Sequence, residues 1–398
     1  LAIFPTVARI FACTIIAGRL YRTDCRFVAS CRSIRAHHDD TDHFRVTGRL
    51  CRGNGHRRSA LDAGKEAGRG AGSSCTEMAM TVSHANQAVN ADRADGTRIA
   101  ITVCAAICTR NRPEQLRRAL ESVTKQTAPA AEVIVIDNAP SDNASKHIVQ
   151  NEFPDVCYFR EGSEGLDFAR NRALRESTCD IVVFLDDDVV TSETWVAALQ
   201  AAFSNDDPLA ICTGKVDALS LETEGQRLFE NNAGFSCGDE LIRLPAAADE
   251  SDRLFRKPLI AWSISIGSGC SFAIRRDIAT MLGGFDEALD LGKALPGGGD
   301  HDMIWRVLLA GHDVMYDPRV TARHDHRKSV PAATGQILGH NGATIAMLSR
   351  ALIITPGRQK IPVLLFLCWR LMKPGVRLVR RLLGKDPLPI STLCRLWW

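Results

Sequence analysis

The chain has 398 residues, 45% hydrophobic, 24% charged and 6% aromatic, which excludes a peptide or a wholly disordered chain and leaves room for two or three domains. A net charge of +3 gives no warrant for a nucleic-acid partner, but residues 358–395 hold nine Lys or Arg against one acid, Asp386, so attraction to anionic surfaces concentrates at the C-terminus. Fourteen cysteines without a C-x-x-C pair read as reduced thiols and point to the cytoplasm.

The opening LAIFPTVARIFACTIIAG is broken by Arg9 and lacks a basic leader, so it makes a poor secretory signal and a poor membrane span. Twelve Arg, five Cys and no Met precede Met78, and residues 1–98 are expected to be a disordered extension or a mis-assigned start. From Ile99 the pattern turns to alternating strand and helix. ITVCAAICT is a β-rich run, and PEQLRRALESVTKQ is a helix with Pro113 in its first turn and Leu116, Leu120 and Val123 on one face. AEVIVIDN, VCYFRE and DIVVFLDDD read as further strands, with SDNASKHIVQNEF and GLDFARNRALRES as the helices between them. Continuous rather than alternating hydrophobicity predicts an α/β fold with a mostly parallel central sheet covered on both faces, whose ligands gather at the carboxyl ends of the strands.

Polar residues stand at those ends: Thr109 to Arg112 after the first strand, Asp137 after the second, Asp186, Asp187 and Asp188 after the fourth. Alone, Asp137 reads as a helix cap or turn residue; three coinciding strand ends point to a ligand. The acidic triplet suits a hard cation, Mn²⁺ or Mg²⁺, because its mutual repulsion is costly without one. A solvated acidic turn is the other reading, and the EF-hand ligand ladder is absent. No P-loop, G-x-G-x-x-G or H-E-x-x-H motif occurs.

In order and spacing, CTRNRPEQLRRALESVTKQ, VIVIDNAPSDN, GLDFARNRAL and FLDDDV resemble the successive blocks of inverting family 2 glycosyltransferases of GT-A fold, over about residues 99 to 327. The resemblance implies a donor half over 99–217 and an acceptor half over 218–327. It gives Thr109, Arg112 and Asp137 to the nucleoside, Gly165, Arg170 and Asn171 to base and diphosphate, Asp186 to the ribose with Asp187 beside it, and Asp188 to the metal. GSGCSFAIRRD, LGGFDEAL and LPGGGDHDMIWRVLLAGHDV resemble the acceptor side, the last standing for an E-D-x-D segment that opens a helix. Gly299 replaces the first acid, so Asp300 falls on the general base with Asp302 as its rival; both also read as first-turn acids favoured by the helix dipole. His324, in VMYDPRVTARHDHR, is a candidate metal ligand or a lone surface histidine.

The implied reaction is inverting, metal-dependent transfer from a nucleotide diphosphate sugar to a hydroxyl of a glycan or lipid-linked acceptor. A silent sugar-nucleotide-binding protein and a nucleotidyltransferase are the rivals. The tail, residues 328–398, is expected to be helical and basic. A helix interrupted near Pro374 would gather Val376, Leu378, Val379, Leu382 and Leu383 on one side, with Arg377, Arg380, Arg381 and Lys385 toward lipid headgroups, as a peripheral anchor at the inner face of the cell membrane. The other reading is a helix pair packed on the catalytic domain with its basic side in solvent.

Overall fold

The computed structural model describes residues 101–204, 209–244, 258–290, 295, 297–386 and 388–396; the expectation for residues 1–98 lies outside them. Strand β1 (Val103–Thr109) is buried at all seven positions, as a central strand covered on both faces must be. Helix α1 (Pro113–Thr124) starts on its proline and buries Leu116, Ala119, Leu120 and Val123. Then come β2 (Glu132–Asn138), α2 (Ala144–Glu152), β3 (Cys157–Glu161), α3 (Leu166–Glu176) and β4 (Ile181–Asp186), each where the apolar runs predict it. The second half contains β5 (Val189–Thr191), α4 (Trp195–Phe203), β6 (Leu209–Ala218), α5 (Glu224–Ala233), β7 (Ile242–Leu244), α6 (Leu259–Ser263), β8 (Ser271–Arg275), α7 (Arg276–Met281), α8 (Gly299–Leu309) and β9 (Asp313–His324). Three helices close the chain: α9 (Val330–Ile354), α10 (Lys360–Leu382) and α11 (Ile390–Arg395).

The strands form one sheet in the order β3-β2-β1-β4-β8-β6-β9-β5, with β7 also paired to β9. Strands β3, β2, β1 and β4 are parallel, whereas β8 runs antiparallel to both β4 and β6, and β5 and β7 run antiparallel to β9. The sheet is therefore mixed. An unbroken apolar run reports burial on both faces and carries no sign of strand direction, so the parallel half was readable and the reversal at β8 was not. One face is covered by α1 and α4 through Leu116, Leu120, Trp195 and Phe203, the other by α3 and α8 through Ala169, Ala173, Met303 and Ile304. Because β2 and β4 flank β1, the connections diverge there, and the register sets Thr109 beside Asp137 and Cys108 beside Asp186. That is the switch point at which open α/β sheets hold ligands.

Helix α9 is the one described helix long and apolar enough to cross a membrane; Met347, Leu348 and Ala351 on it are buried against α6, α8 and α10. The tail is helical as expected, with two differences. Helix α10 runs without a break through Pro374, whose ring is buried; the missing N–H removes one rung of the ladder but packing holds the turn. Leu378 turns inward toward Phe229 and Leu388, and Arg377 is bound to Asp386 and Asn232, so neither projects as the sequence pattern suggested.

Candidate active site

The three carboxylates after β4 are neutralised by side chains from three directions. Thr109 donates its hydroxyl to Asp187 Oδ2 at 2.9 Å, and Arg112 Nη1 bridges Asp187 Oδ1 at 2.9 Å and Asp188 Oδ2 at 3.1 Å. Arg327, which the sequence reading did not single out, stands 3.6 Å from Asp188 Oδ2. Burial alone pushes the Asp188 carboxyl up, but Arg112, Arg327 and, when it carries a proton toward Asp188, His324 outweigh it and hold it below the usual range. Asp186 moves the other way, raised by burial and by the neighbouring charge of Asp188. Thr109, Arg112 and Asp187 thus brace the acidic turn, with Asp187 nearly covered.

His324 is buried, and its Nε2 lies 3.3 Å from Asp188 Oδ1. Its Nδ1 is 2.7 Å from Nδ1 of His326, whose Nε2 is 2.8 Å from Glu230 Oε2 on α5. The hydrogen-bond network assigns the tautomers of neutral rings. A carboxylate can only accept, so His326 donates from Nε2 and accepts at Nδ1, and His324 donates from Nδ1. The His324 Nε2 lone pair then faces the Asp188 carboxylate across 3.3 Å. Two electron-pair donors so placed need a proton or a cation between them. Among the described residues no three or more His, Cys, Asp or Glu side chains are gathered as a closed metal cage. This is an open oxygen-and-nitrogen pair, a donor set that suits a divalent cation completing its shell with substrate oxygens and water.

Asp137 is buried at the end of β2. Tyr158 donates to its Oδ2 at 2.7 Å, while Oδ1 is buried with no hydrogen-bond partner. Burial raises this carboxyl, and the Tyr158 hydrogen bond and Arg160 oppose the rise. At the start of α3, Gly165 has φ +145°, and a Cβ there would overlap the Asp290 carbonyl, so the close approach of the two loops requires glycine. The Asp290 carboxylate accepts the backbone N–H groups of Leu166 and Asp167, a helix cap that sequence could not reveal because it comes from 124 residues away. Asn171 spends its amide on Phe285 O, Phe285 N and Glu287, pinning the loop after α7 and making no contact with the strand-end carboxylates.

Arg170 is buried, lies over the Phe285 ring and pairs with Asp167 at 3.0 Å. A Cβ on Gly269 would overlap both the Arg170 guanidinium and the Asp300 carboxylate, which places the two groups together. Asp300 accepts the backbone N–H groups of Gly269 and His301, each at 2.8 Å. Burial would raise its carboxyl, yet His301, Arg170 and those two donors bring it down to about 2. Asp302, on the same turn, is fully buried, with Arg306 on one oxygen at 2.7 Å and Arg350 on the other at 2.6 Å. Asp167 Oδ2 has no partner and occupies the space where a Cβ of residue 299 would stand, so glycine at 299 is what admits the Asp167 carboxylate.

The family model described as glycosyl transferase family 2 matches residues 104–282. The chain is 27% identical over 228 residues to a pre-mycofactocin glycosyltransferase of Mycobacterium tuberculosis, covering 56% of this chain and 43% of that protein. It is 30% identical over 221 residues to the succinoglycan biosynthesis protein ExoM of Rhizobium meliloti, covering 53% of this chain and 63% of that one. The chain thus spans less than two thirds of the length of these curated relatives. Among solved structures it is similar to a mannosyltransferase of Pyrobaculum calidifontis in complex with GDP-Man and Mn²⁺, at 17% identity and a TM-score of 0.48, covering 80% of this chain and 88% of that one. Over residues 104–282 the chain is thus similar to glycosyl transferase family 2.

Proposed function

We propose that the protein transfers a sugar, with inversion, from a nucleotide diphosphate sugar to a hydroxyl of a glycan or lipid-linked acceptor in cell-surface glycan assembly, on a GT-A domain spanning residues 99–327. The relative named for succinoglycan biosynthesis supports the glycan context. One observation carries the reading: Arg170 stands between the acidic turn that holds the facing Asp188–His324 pair and the ionised Asp300 carboxylate, its charge acting on both Asp186 and Asp300.

In this reading the unpartnered Oδ1 of Asp137 accepts a hydrogen bond from the nucleobase, and Asp186 accepts one from the ribose. Arg112, a third exposed, is able to leave the acidic turn for a phosphate oxygen. Asp188 and His324 would hold Mn²⁺ or Mg²⁺, whose charge would offset that of the departing diphosphate. Asp300 takes the proton of the attacking hydroxyl. A carboxyl held at about 2 is a weak base, so the transfer becomes downhill only as the attacking oxygen gains positive charge near the transition state. A single displacement needs one base and no protein nucleophile. Asp302, with both oxygens bound by arginine, holds the turn that aims Asp300.

A panel of sugar nucleotides assayed for nucleoside diphosphate release tests the reading. Release that depends on Mn²⁺ or Mg²⁺ and disappears in Asp188→Ala is the expected result. Pyrophosphate release, or turnover unchanged in Asp188→Ala, overturns it.

A further inference from the structure

Helix α10 turns an apolar stripe toward solvent. Leu365, Trp369, Met372, Val376, Val379 and Leu383 recur at intervals of three or four residues, which keeps them on one side of a helix, and each is between 45% and 65% exposed. The core does not account for them, because the opposite side of the helix is already occupied. Val363 and Leu367 pack with Ile260, Trp305 and Met347, and Leu378 packs against the cluster containing Phe229, Ile337 and Leu388. The helix is thus docked on the domain along its length while a second apolar face, about 30 Å long at the helical rise, points away from it. Isolated exposed leucines are ordinary, whereas an unbroken stripe of this length marks a contact surface.

The charge around the stripe identifies the partner. Lys360 stands at its start, and Arg380, Arg381 and Lys385 are exposed at its end. The single acid of the region, Asp386, is buried and taken by Arg377. A second copy of the chain laid on this face would bring two basic stretches together, whereas anionic phospholipid headgroups would neutralise them. The helix has the composition of one that lies in the plane of the interface, with an indole among the apolar residues and cations at the ends.

We propose that this face of α10 docks the protein on the surface of a bilayer containing anionic phospholipid, with the stripe seated among the upper acyl chains. Trp305 of α8, whose first turn carries Asp300, shares an apolar cluster with Val363 and Leu367 on the inner side of α10, so the docked helix packs beside the helix that carries Asp300. The docking stands independently of the transfer reading.

The test is flotation of the full chain with vesicles of phosphatidylcholine alone and of phosphatidylcholine mixed with phosphatidylglycerol, at low and high salt. Binding is expected on the mixed vesicles, weakened by salt and by Arg380→Glu/Arg381→Glu. Leu365→Glu/Met372→Glu is expected to weaken it at least about tenfold. Both positions are exposed, so circular dichroism and the thermal midpoint should be preserved in that variant. Absence of binding to mixed vesicles, or binding unchanged in the Leu365→Glu/Met372→Glu variant, overturns the proposal. So does a wild-type dimer in sedimentation that becomes monomeric in that variant without vesicle binding, which would give the face to a second copy.

Discussion

The acidic turn after β4 and the first turn of α8 both crowd carboxylates near Arg170, and they balance the charge by opposite means. After β4 the partners are Arg112 and Arg327, long side chains each about a third exposed, together with the imidazole of His324. In α8 the partners are fixed. Asp300 is held by two backbone N–H groups, and Asp302 by Arg306 and Arg350, themselves largely covered. Arginines that can swing away leave the first turn able to exchange its partners for a ligand. Backbone donors cannot swing, so the second turn keeps its geometry whatever binds nearby. Carboxylate count therefore says little about role; the mobility of the partner says more.

The contrast is broken most directly by neutralising the two acids of α8 separately. Asp300→Asn is expected to retain donor binding, followed by calorimetry, and to lose transfer by roughly two to four orders of magnitude. Asp302→Ala leaves Arg306 and Arg350 without their shared anion, a loss of about 3 kcal/mol or more of stability read in urea unfolding. If Asp302→Ala unfolds like wild type while transfer collapses, the two roles are exchanged.

Asp167 sharpens the comparison through pH. Burial raises its carboxyl to about 7, with Arg170 opposing and Asp290 and Asp300 adding to the rise. The folded state then binds this proton more tightly than the unfolded chain. Its contribution to stability is full below the ordinary carboxylate range and is lost as pH climbs through about 7. The stability difference between Asp167→Asn and wild type should therefore shift in the variant's favour by on the order of 1–3 kcal/mol from about pH 5 to about pH 8 in urea unfolding, whatever its offset from the lost ion pair. A difference independent of pH would show that Asp167 stays ionised.

The smallest effect concerns Glu230, which fixes the tautomers of His326 and His324 from a distance. Glu230→Gln can present an amide N–H to His326, which permits the opposite tautomer chain. Mn²⁺ affinity, measured by electron paramagnetic resonance without any sugar nucleotide, should fall about tenfold. Equal affinity would mean that the relay does not orient the pair.

Much of this was legible in the sequence because strands buried on both faces leave unbroken apolar runs and the polar residues that end them fall at the sheet's carboxyl edge. Thr109, Asp137 and the triplet at 186–188 were readable for that reason. Arg327, His326 with Glu230, and Asp167 with Gly299 were not assigned, since each acquires its role from a residue on another element. The helix start at Thr223 did carry a local signal: its side chain and Gln226 form a reciprocal cap, and the T-x-x-Q spacing was there to be found. The outward turn of the α10 stripe was hidden because a helical period marks an apolar side without saying whether the fold covers it.

The interlock of Gly299 and Asp167 constrains how this site can change by mutation. An acid cannot enter position 299 while Asp167 remains, because the new Cβ and the existing carboxylate claim the same volume. Removing the Asp167 carboxylate first strips Arg170 of its ion pair. Each single step is therefore unfavourable in the background of the other, and only the pair of changes conserves one carboxylate beside Arg170. Positions 167 and 299 should vary together among descendants of this chain, and a library that samples them one at a time will score both as intolerant.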